Sequence, residues 1–225
     1  VLAGVGIALA TGGDRRPRGR QGLLAASVGT LTRAVLIGLV GLTLGMFVPT
    51  DIAHVILTYY AVLFVMAIPF LGLPARALAF FALVAALAAP VASHVLRSSL
   101  PTPEPTNVSF LTLAADPSGV LTDLLLTGTY PALPWMAYLL AGMAVGRIRL
   151  HRAVSVVLAF GGAALAAAAS VGSSLAMNQL GGLEAIAAVA QQTMSLSEFS
   201  SLLVWGADGT LPTTSWWWLA VLAPH

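Results

Sequence analysis

The residues with chemical reach in this chain are a few histidines, carboxylates, arginines and aromatics in an apolar background. Asp51 and His54 stand three apart, a spacing that puts both on nearly the same face of a helix. A carboxylate beside an imidazole orients the ring and raises its basicity, as a general base requires. Pro49-Thr50-Asp51 is also an ordinary helix start with an acidic first turn, so structure alone accounts for Asp51. His94, near the end of the 77–96 apolar run, and His225, after Pro224, could line a cavity or simply sit in a headgroup layer. Tyr59 and Tyr60 lie within the 52–71 run, where a phenol in lipid needs a hydrogen-bond partner, so at least one should face a bundle interior. Tyr130, Trp135 and Tyr138 gather at the start of the 132–146 run, and Asp123 interrupts the apolar stretch Val120 to Leu126 before it. Aromatic-belt and helix-start chemistry explains most of these. Tyr59, Asp123, Tyr130 and Trp135 are nonetheless the side chains a substrate at that end would meet.

The cations suggest a different chemistry. Arg33, just before the 34–48 run, has a stem that can snorkel and a guanidinium that can hold a phosphate, although a topological anchor would look the same. Asp14-Arg15-Arg16-Pro17-Arg18-Gly19-Arg20, with Arg147, Arg149, His151 and Arg152, makes a basic face for acidic headgroups or for the phosphates of a nucleotide-like cofactor. Acids are missing from every apolar run, which counts against a proton- or sodium-coupled transporter. There is no phosphate-binding glycine motif, no zinc spacing and no serine-hydrolase elbow, so neither a metal nor a nucleic-acid partner is expected. The absence of cysteine removes thiol nucleophiles, disulfides and iron–sulfur clusters.

The elements that must position these residues follow from composition. Of 225 residues, 58% are hydrophobic and 8% charged, with a mean hydropathy of +0.93. Soluble domains run near 45–50% apolar and about 25% charged, so this is an integral membrane protein of the all-α class. Apolar runs at 1–10, 34–48, 52–71, 77–96, 132–146, 153–177 and from Trp216 predict a polytopic helix bundle of about five complete spans and two truncated ones. The chain reads as a single integral membrane domain, 1–225, cut at both ends.

Arg15, Arg16, Arg18, Arg20, Arg33, Arg76, Arg147, Arg149 and Arg152 fall on one side of these crossings and Arg97 on the other, where all acids but Asp14 also lie. The positive-inside rule puts the arginines in the cytoplasm and loops 97–131 and 178–215 outside. The first of those loops should hold a short interfacial helix around Asp123, the second a helical cap. Gly41-xxx-Gly45, Gly142-xxx-Gly146 and the Ala/Gly-dense 161–173 stretch should let helix backbones approach. Asn107-Val108-Ser109 matches a glycosylation sequon, of little weight in a chain whose composition looks bacterial. A bacterial inner membrane is the expected location.

Several segments together resemble one family. VLAGVGIALATGG, the basic loop, LTRAVLIGLVGLTLG and HVILTYYAVLFVMAIPFL, then DPSGVLTDLLLTGTYPALPWMAYLLAGMAVGRI, occur in the order seen in the heparan-alpha-glucosaminide N-acetyltransferase family and its bacterial relatives. The resemblance covers most of residues 1–152. It implies an acyltransferase that takes an acyl group from cytoplasmic acyl-CoA and delivers it to a sugar amine or hydroxyl, on a glycan or glycolipid, across the membrane. Arg33 is similar in position to an Arg at the cytoplasmic start of a family helix, and Arg147 and Arg149 would assist with the cofactor. Where the family tends to have Gln-Arg early in the next helix, this chain has Thr58-Tyr59. The family's main histidine is expected before Val1, so His54, Asp51, His94 and His225 are only weak catalytic candidates. A transporter or lipid flippase, and a non-catalytic scaffold, are the alternative readings.

Overall fold

The structure, a computed structural model, describes residues 1–50, 52–97, 106–149 and 151–181. Among these the regular structure is helical: α1 Leu2–Ala10, α2 Gly19–Phe47, α3 Leu57–Ala67 with a 3-10 turn Ile68–Phe70, and α4 Ala75–Arg97. Then come α5 Phe110–Ala115, α6 Pro117–Thr122 with a π-helical turn Asp123–Thr127, α7 Ala132–Gly146 and α8 Arg152–Asn178. The chain divides into two compact units, Val1–Arg149 and Leu150–His225.

Local chemistry sets most of the boundaries. Gly19 adopts φ +70, a backbone region open to glycine, where α2 leaves the basic loop. α2 stops at Phe47, two residues before Pro49, as the restriction on pre-proline residues requires. Ser109 and Thr112 form a reciprocal capping box at α5. The Asp116 side chain accepts the Gly119 N–H at 2.9 Å and Pro117 occupies the first turn of α6.

In the first unit α7 is the central helix and packs against α1, α3 and α4, while α2 packs against α3. Met136, Leu139, Leu140 and Met143 of α7 meet Ile7 and Ala8 of α1, Leu63 and Ala67 of α3, and Leu78 and Ala82 of α4 in one core. α7 is apolar on all sides, and its Gly142 and Gly146 let the backbone of α1 come close against it. By contrast α2 exposes Leu24, Val28, Leu31, Val35, Leu36, Leu39 and Val40, an area that water would penalise heavily and lipid does not. The chain is a membrane protein.

The individual spans differ from the expected set. Two helices are long and apolar enough to cross a bilayer, α2 and α8 over Arg152–Ala176, or three if 117–127 and α7, bent by 53°, form one broken span. The 52–71 run shortens to Leu57–Phe70, because residues 53–56 are not helical, and α4 is apolar over Ala75–Ala89. The 34–48 run is the second half of a 29-residue helix, about 43 Å long at 1.5 Å per residue. Residues 97–131 are more than a loop: α5, α6 and the π-helical turn occupy much of the segment, and the helix expected around Asp123 is there. The helical cap expected in 178–215 lies outside the described residues, apart from its first few positions.

Small residues do bring backbones together in the first unit. A Cβ on Gly142 would strike the Val1 carbonyl oxygen, one on Gly45 the Val108 carbonyl oxygen, and one on Gly41 would come within 2.7 Å of the Thr58 nitrogen. Within α8, Gly161, Gly162 and Gly172 have nothing within 4 Å among the described residues. We therefore expect Gly45→Ala to lower stability by about 1–3 kcal/mol through overpacking. In a protein of this size that is a drop of roughly 2–12 °C in the melting midpoint in detergent. Gly29→Ala, at a helical position with open space around it, should leave the midpoint unchanged or raised.

Candidate functional site

Two polar clusters stand at opposite ends of the first unit. The first is built around Arg147, which follows the last residue of α7. Sequence alone puts it on a basic face; the structure turns it inward, leaving it 7% exposed. Its Nη1 donates to the carbonyl oxygens of Ala8 and Thr11 at 3.1 Å and of Gly13 at 2.9 Å. Its Nη2 donates to Thr11 Oγ1 at 2.9 Å and to the Leu71 carbonyl at 2.6 Å. Thr11 Oγ1 in turn donates to the Ile7 carbonyl at 2.8 Å.

The physical reason is plain. The last carbonyls of a helix have no partner within it and carry the negative end of its dipole, so a planar cation with several donors suits them. Gly12 and Gly13, at φ +101 and +58, turn the chain so that these carbonyls converge. Burial, and then the like charge of Arg16, press the Arg147 pKa downward, yet a guanidinium remains protonated. Arg16 donates to the Gly72 carbonyl at 3.1 Å, and Arg149 Nε pairs with Asp14 at 2.6 Å. Three arginines thus stitch the 11–16 turn to the 71–72 turn and to the end of α7.

The second cluster lies where α2 ends, α3 begins and 107–138 packs. Tyr59 is buried, its ring edge-on to Tyr130 with centroids 5.6 Å apart. Tyr130 meets Trp135 at 5.5 Å, and Trp135 meets Tyr138 at 6.2 Å, so four rings run from the interior to the exposed surface. Beside them the π-helical turn closes through the Gly128 N–H to the Asp123 carbonyl at 2.8 Å, while Thr127 Oγ1 donates to Asp123 Oδ1 at 2.6 Å. A side chain on Gly128 would collide with the Tyr59 hydroxyl, so this glycine lets the turn close over the phenol. π-helical turns concentrate at functional sites, and here one presents a half-buried carboxylate next to an aromatic ladder. Such a pairing can stack on the apolar face of a ring and accept its hydroxyl or amine protons.

The structure thus brings together Tyr59, Asp123, Tyr130 and Trp135, the four residues marked in the sequence as a substrate end. Tyr59 lies nearer its helix start than expected, because α3 begins only at Leu57. Arg33 is not at a helix start: it is exposed, halfway along α2, between the two clusters. His54 is exposed in a non-helical segment. Asp51 and His225 lie outside the described residues. His94 falls within α4, with its side chain also outside them.

Sequence reasoning missed Asn107. Its Oδ1 accepts the Val55 N–H at 2.8 Å, and its Nδ2 donates to the carbonyls of Val48 at 2.8 Å and Ala53 at 2.9 Å. All the strong hydrogen-bonding capacity of the amide holds the α2–α3 turn, a role for the residue quite different from that of a sequon. The legible signal was Ser109, two residues on, as a helix cap.

A helical membrane unit with a cationic cluster at one end and an aromatic–carboxylate cluster at the other is the class these features define. Within that class the chain belongs to the heparan-alpha-glucosaminide N-acetyltransferase family, whose catalytic-domain model matches residues 1–178. No curated protein and no solved structure matches the chain. The family match bears out the resemblance seen in the ordered segments and extends it through α8.

Three outcomes follow. Arg147→Met, which leaves its carbonyl acceptors without donors, should cost on the order of 3 kcal/mol, with Arg147→Lys recovering only part because an ammonium cannot fork; detergent melting curves read both. Asn107→Ala should destabilise by about 1–3 kcal/mol, and Asn107→Asp by at least as much, because its second carboxylate oxygen would face the Val48 and Ala53 carbonyls, acceptor against acceptor. The Arg149 guanidinium beside Asp14, with smaller help from Arg15, holds that carboxyl below its usual range. A depressed carboxyl stabilises above the unfolded pKa of about 3.9 and loses that contribution as pH falls through the folded value. Wild type should therefore lose more of its melting midpoint than Asp14→Asn below about pH 4, and the same amount above pH 5.

Proposed function

We propose that this chain is the core of a membrane acyltransferase that moves an acyl group, in the first instance acetyl, from acyl-CoA to a sugar amine or hydroxyl. The observation that carries this reading is the catalytic-domain match over residues 1–178. The two clusters support the direction of transfer. The donor carries several phosphates, and the cationic end, read as cytoplasmic from the positive-inside rule, attracts them. The acceptor is a hydrogen-bonding ring, and the Tyr59–Tyr130–Trp135 ladder with Asp123 suits it at the opposite, extracytoplasmic end. α2 runs the length between the two, with Arg33 at its middle.

An arginine at that depth is costly unless it meets an anion or snorkels, which makes it the side chain best placed to follow the donor's charge into the membrane. Arg147 is given a different part. Its two Nη groups are committed to the chain's own carbonyls and to Thr11 Oγ1, so it shapes the donor end rather than gripping the donor. In the transfer itself the thioester C–S bond breaks, a C–N or C–O bond to the sugar forms, and CoA leaves as the thiol. The acceptor nitrogen or oxygen gives up its proton as the new bond forms, and the departing CoA sulfur takes it. The location that goes with this reading is a bacterial inner membrane.

Incubating the protein in nanodiscs with radiolabelled acetyl-CoA and glucosamine-terminated glycans tests it. Label should pass to the glycan. Arg33→Gln should raise the KM for acetyl-CoA about tenfold, a loss of about 1.4 kcal/mol, and Trp135→Ala should raise that for the acceptor instead. Absence of both transfer and calorimetric binding of CoA would reject the reading.

A further inference from the structure

The stitching of the cationic end sorts its arginines into two kinds. Arg147, Arg16 and Arg149 are spent on the fold, through chain carbonyls and Asp14. Arg15, Arg18, Arg20 and Arg76 are exposed and donate no hydrogen bond among the described residues. The Arg16–Gly72 bond ties the loop carrying the first three to the turn preceding Arg76, so the four share one rim.

No side-chain hydrogen bond or ion pair among the described residues holds this rim. Arg18 is the residue capping α2 and makes no side-chain cap bond, Arg20 lies in the first turn of α2, and Arg76 lies in the first turn of α4. Helix N-termini carry the positive end of the dipole and favour anions, and neither helix has an acid in its first turn. The acid of this end, Asp14, is already paired with Arg149. Arg18, Arg20 and Arg76 thus stand at the wrong pole of two helices and in no ion pair among the described residues, with Arg15 beside them, an arrangement that favours a bound anion.

The surroundings indicate which anion. Leu9, Leu23, Leu24 and Phe80 are all exposed, and each lies within a turn or two of a rim arginine along the chain. Within α2 and α4 the change from cationic to apolar surface takes place over about one helical turn, roughly 5 Å, which is the step from headgroup to acyl chain in a leaflet. We propose that Arg15, Arg18, Arg20 and Arg76 form a binding site for the phosphates of anionic phospholipids, whose tails lie along Leu9, Leu23, Leu24 and Phe80. The site lies at the same cationic end to which the acyl-transfer reading draws the donor's phosphates, but it uses neither Arg33 nor Trp135, on which the test of that reading rests, so the two can fail separately.

The test is native mass spectrometry of the detergent-solubilised protein with added phosphatidylglycerol or phosphatidylcholine, with melting curves alongside. Wild type should retain phosphatidylglycerol at least tenfold over phosphatidylcholine and melt higher with it. R15Q/R18Q/R20Q/R76Q should lose that preference while melting as wild type does without lipid. Should this variant not fold, the same preference in wild type should vanish between 50 mM and 1 M salt, where the screening length falls to about 3 Å. Millimolar inorganic phosphate should not displace the lipid. Equal retention of the two lipids, an unchanged preference in the variant or at high salt, or displacement by inorganic phosphate would each overturn the proposal, the last by making the site one for a soluble phosphate.

Discussion

The Arg147 guanidinium is the interaction on which the first unit depends. Its donors reach acceptors in α1, in the turn after α1 and at the end of α3, from a position just past α7. In a membrane protein the hydrophobic effect does little to hold one apolar helix against another, so association must come from packing and from backbone groups that would otherwise be unsatisfied. One buried cation that satisfies carbonyls from several elements fixes how far each helix extends and how the turns between them lie. Once the 11–16 turn is pinned, Arg16 and Arg149 close on Gly72 and Asp14, and Arg15, Arg18, Arg20 and Arg76 are left exposed.

The opposite end is held by a neutral counterpart. Asn107 ties the α2–α3 turn to the segment that leads into α5, and Gly45 lets that segment lie directly against α2. With these fixed, the π-helical turn at Asp123 comes down over Tyr59, and the ring ladder is the consequence. Both ends thus use one side chain to satisfy several backbone groups, a cation where helices terminate and an amide where the chain turns. The family match makes this a membrane acetyltransferase-like unit, with one polar cluster at each end.

Much of this was legible in the residues. The apolar content, the segregation of arginine from carboxylate and the spacings Gly41-xxx-Gly45 and Gly142-xxx-Gly146 point to a helical membrane protein with close backbone contacts, and the structure has them. Tyr59, Asp123, Tyr130 and Trp135 could be grouped because each falls at the same end of its apolar run. Helix boundaries were less accessible. Apolarity marks the portion of a helix in lipid, whereas α2 continues through Gly22, Gln21 and Arg20, residues that water tolerates equally well in a helix. That difference moved Arg33 from a helix start to a helix centre. In the other direction, the 53–56 segment is apolar apart from His54 yet not helical, because the Asn107 side chain takes the backbone groups of Ala53 and Val55.

By itself the sequence determined class, helical character and the separation of charge, because these are sums over many residues and the bilayer imposes them whatever the detailed packing. The tertiary structure decided which polar residues are spent on the fold and which remain for a ligand. Arg147 and Arg15 are the same residue type in neighbouring basic loops, yet one is buried against carbonyls brought from sixty and more residues away and the other faces outward. No local spacing encodes that distinction. It depends on where the ends of other helices arrive, and on the free energy of leaving their carbonyls without a donor.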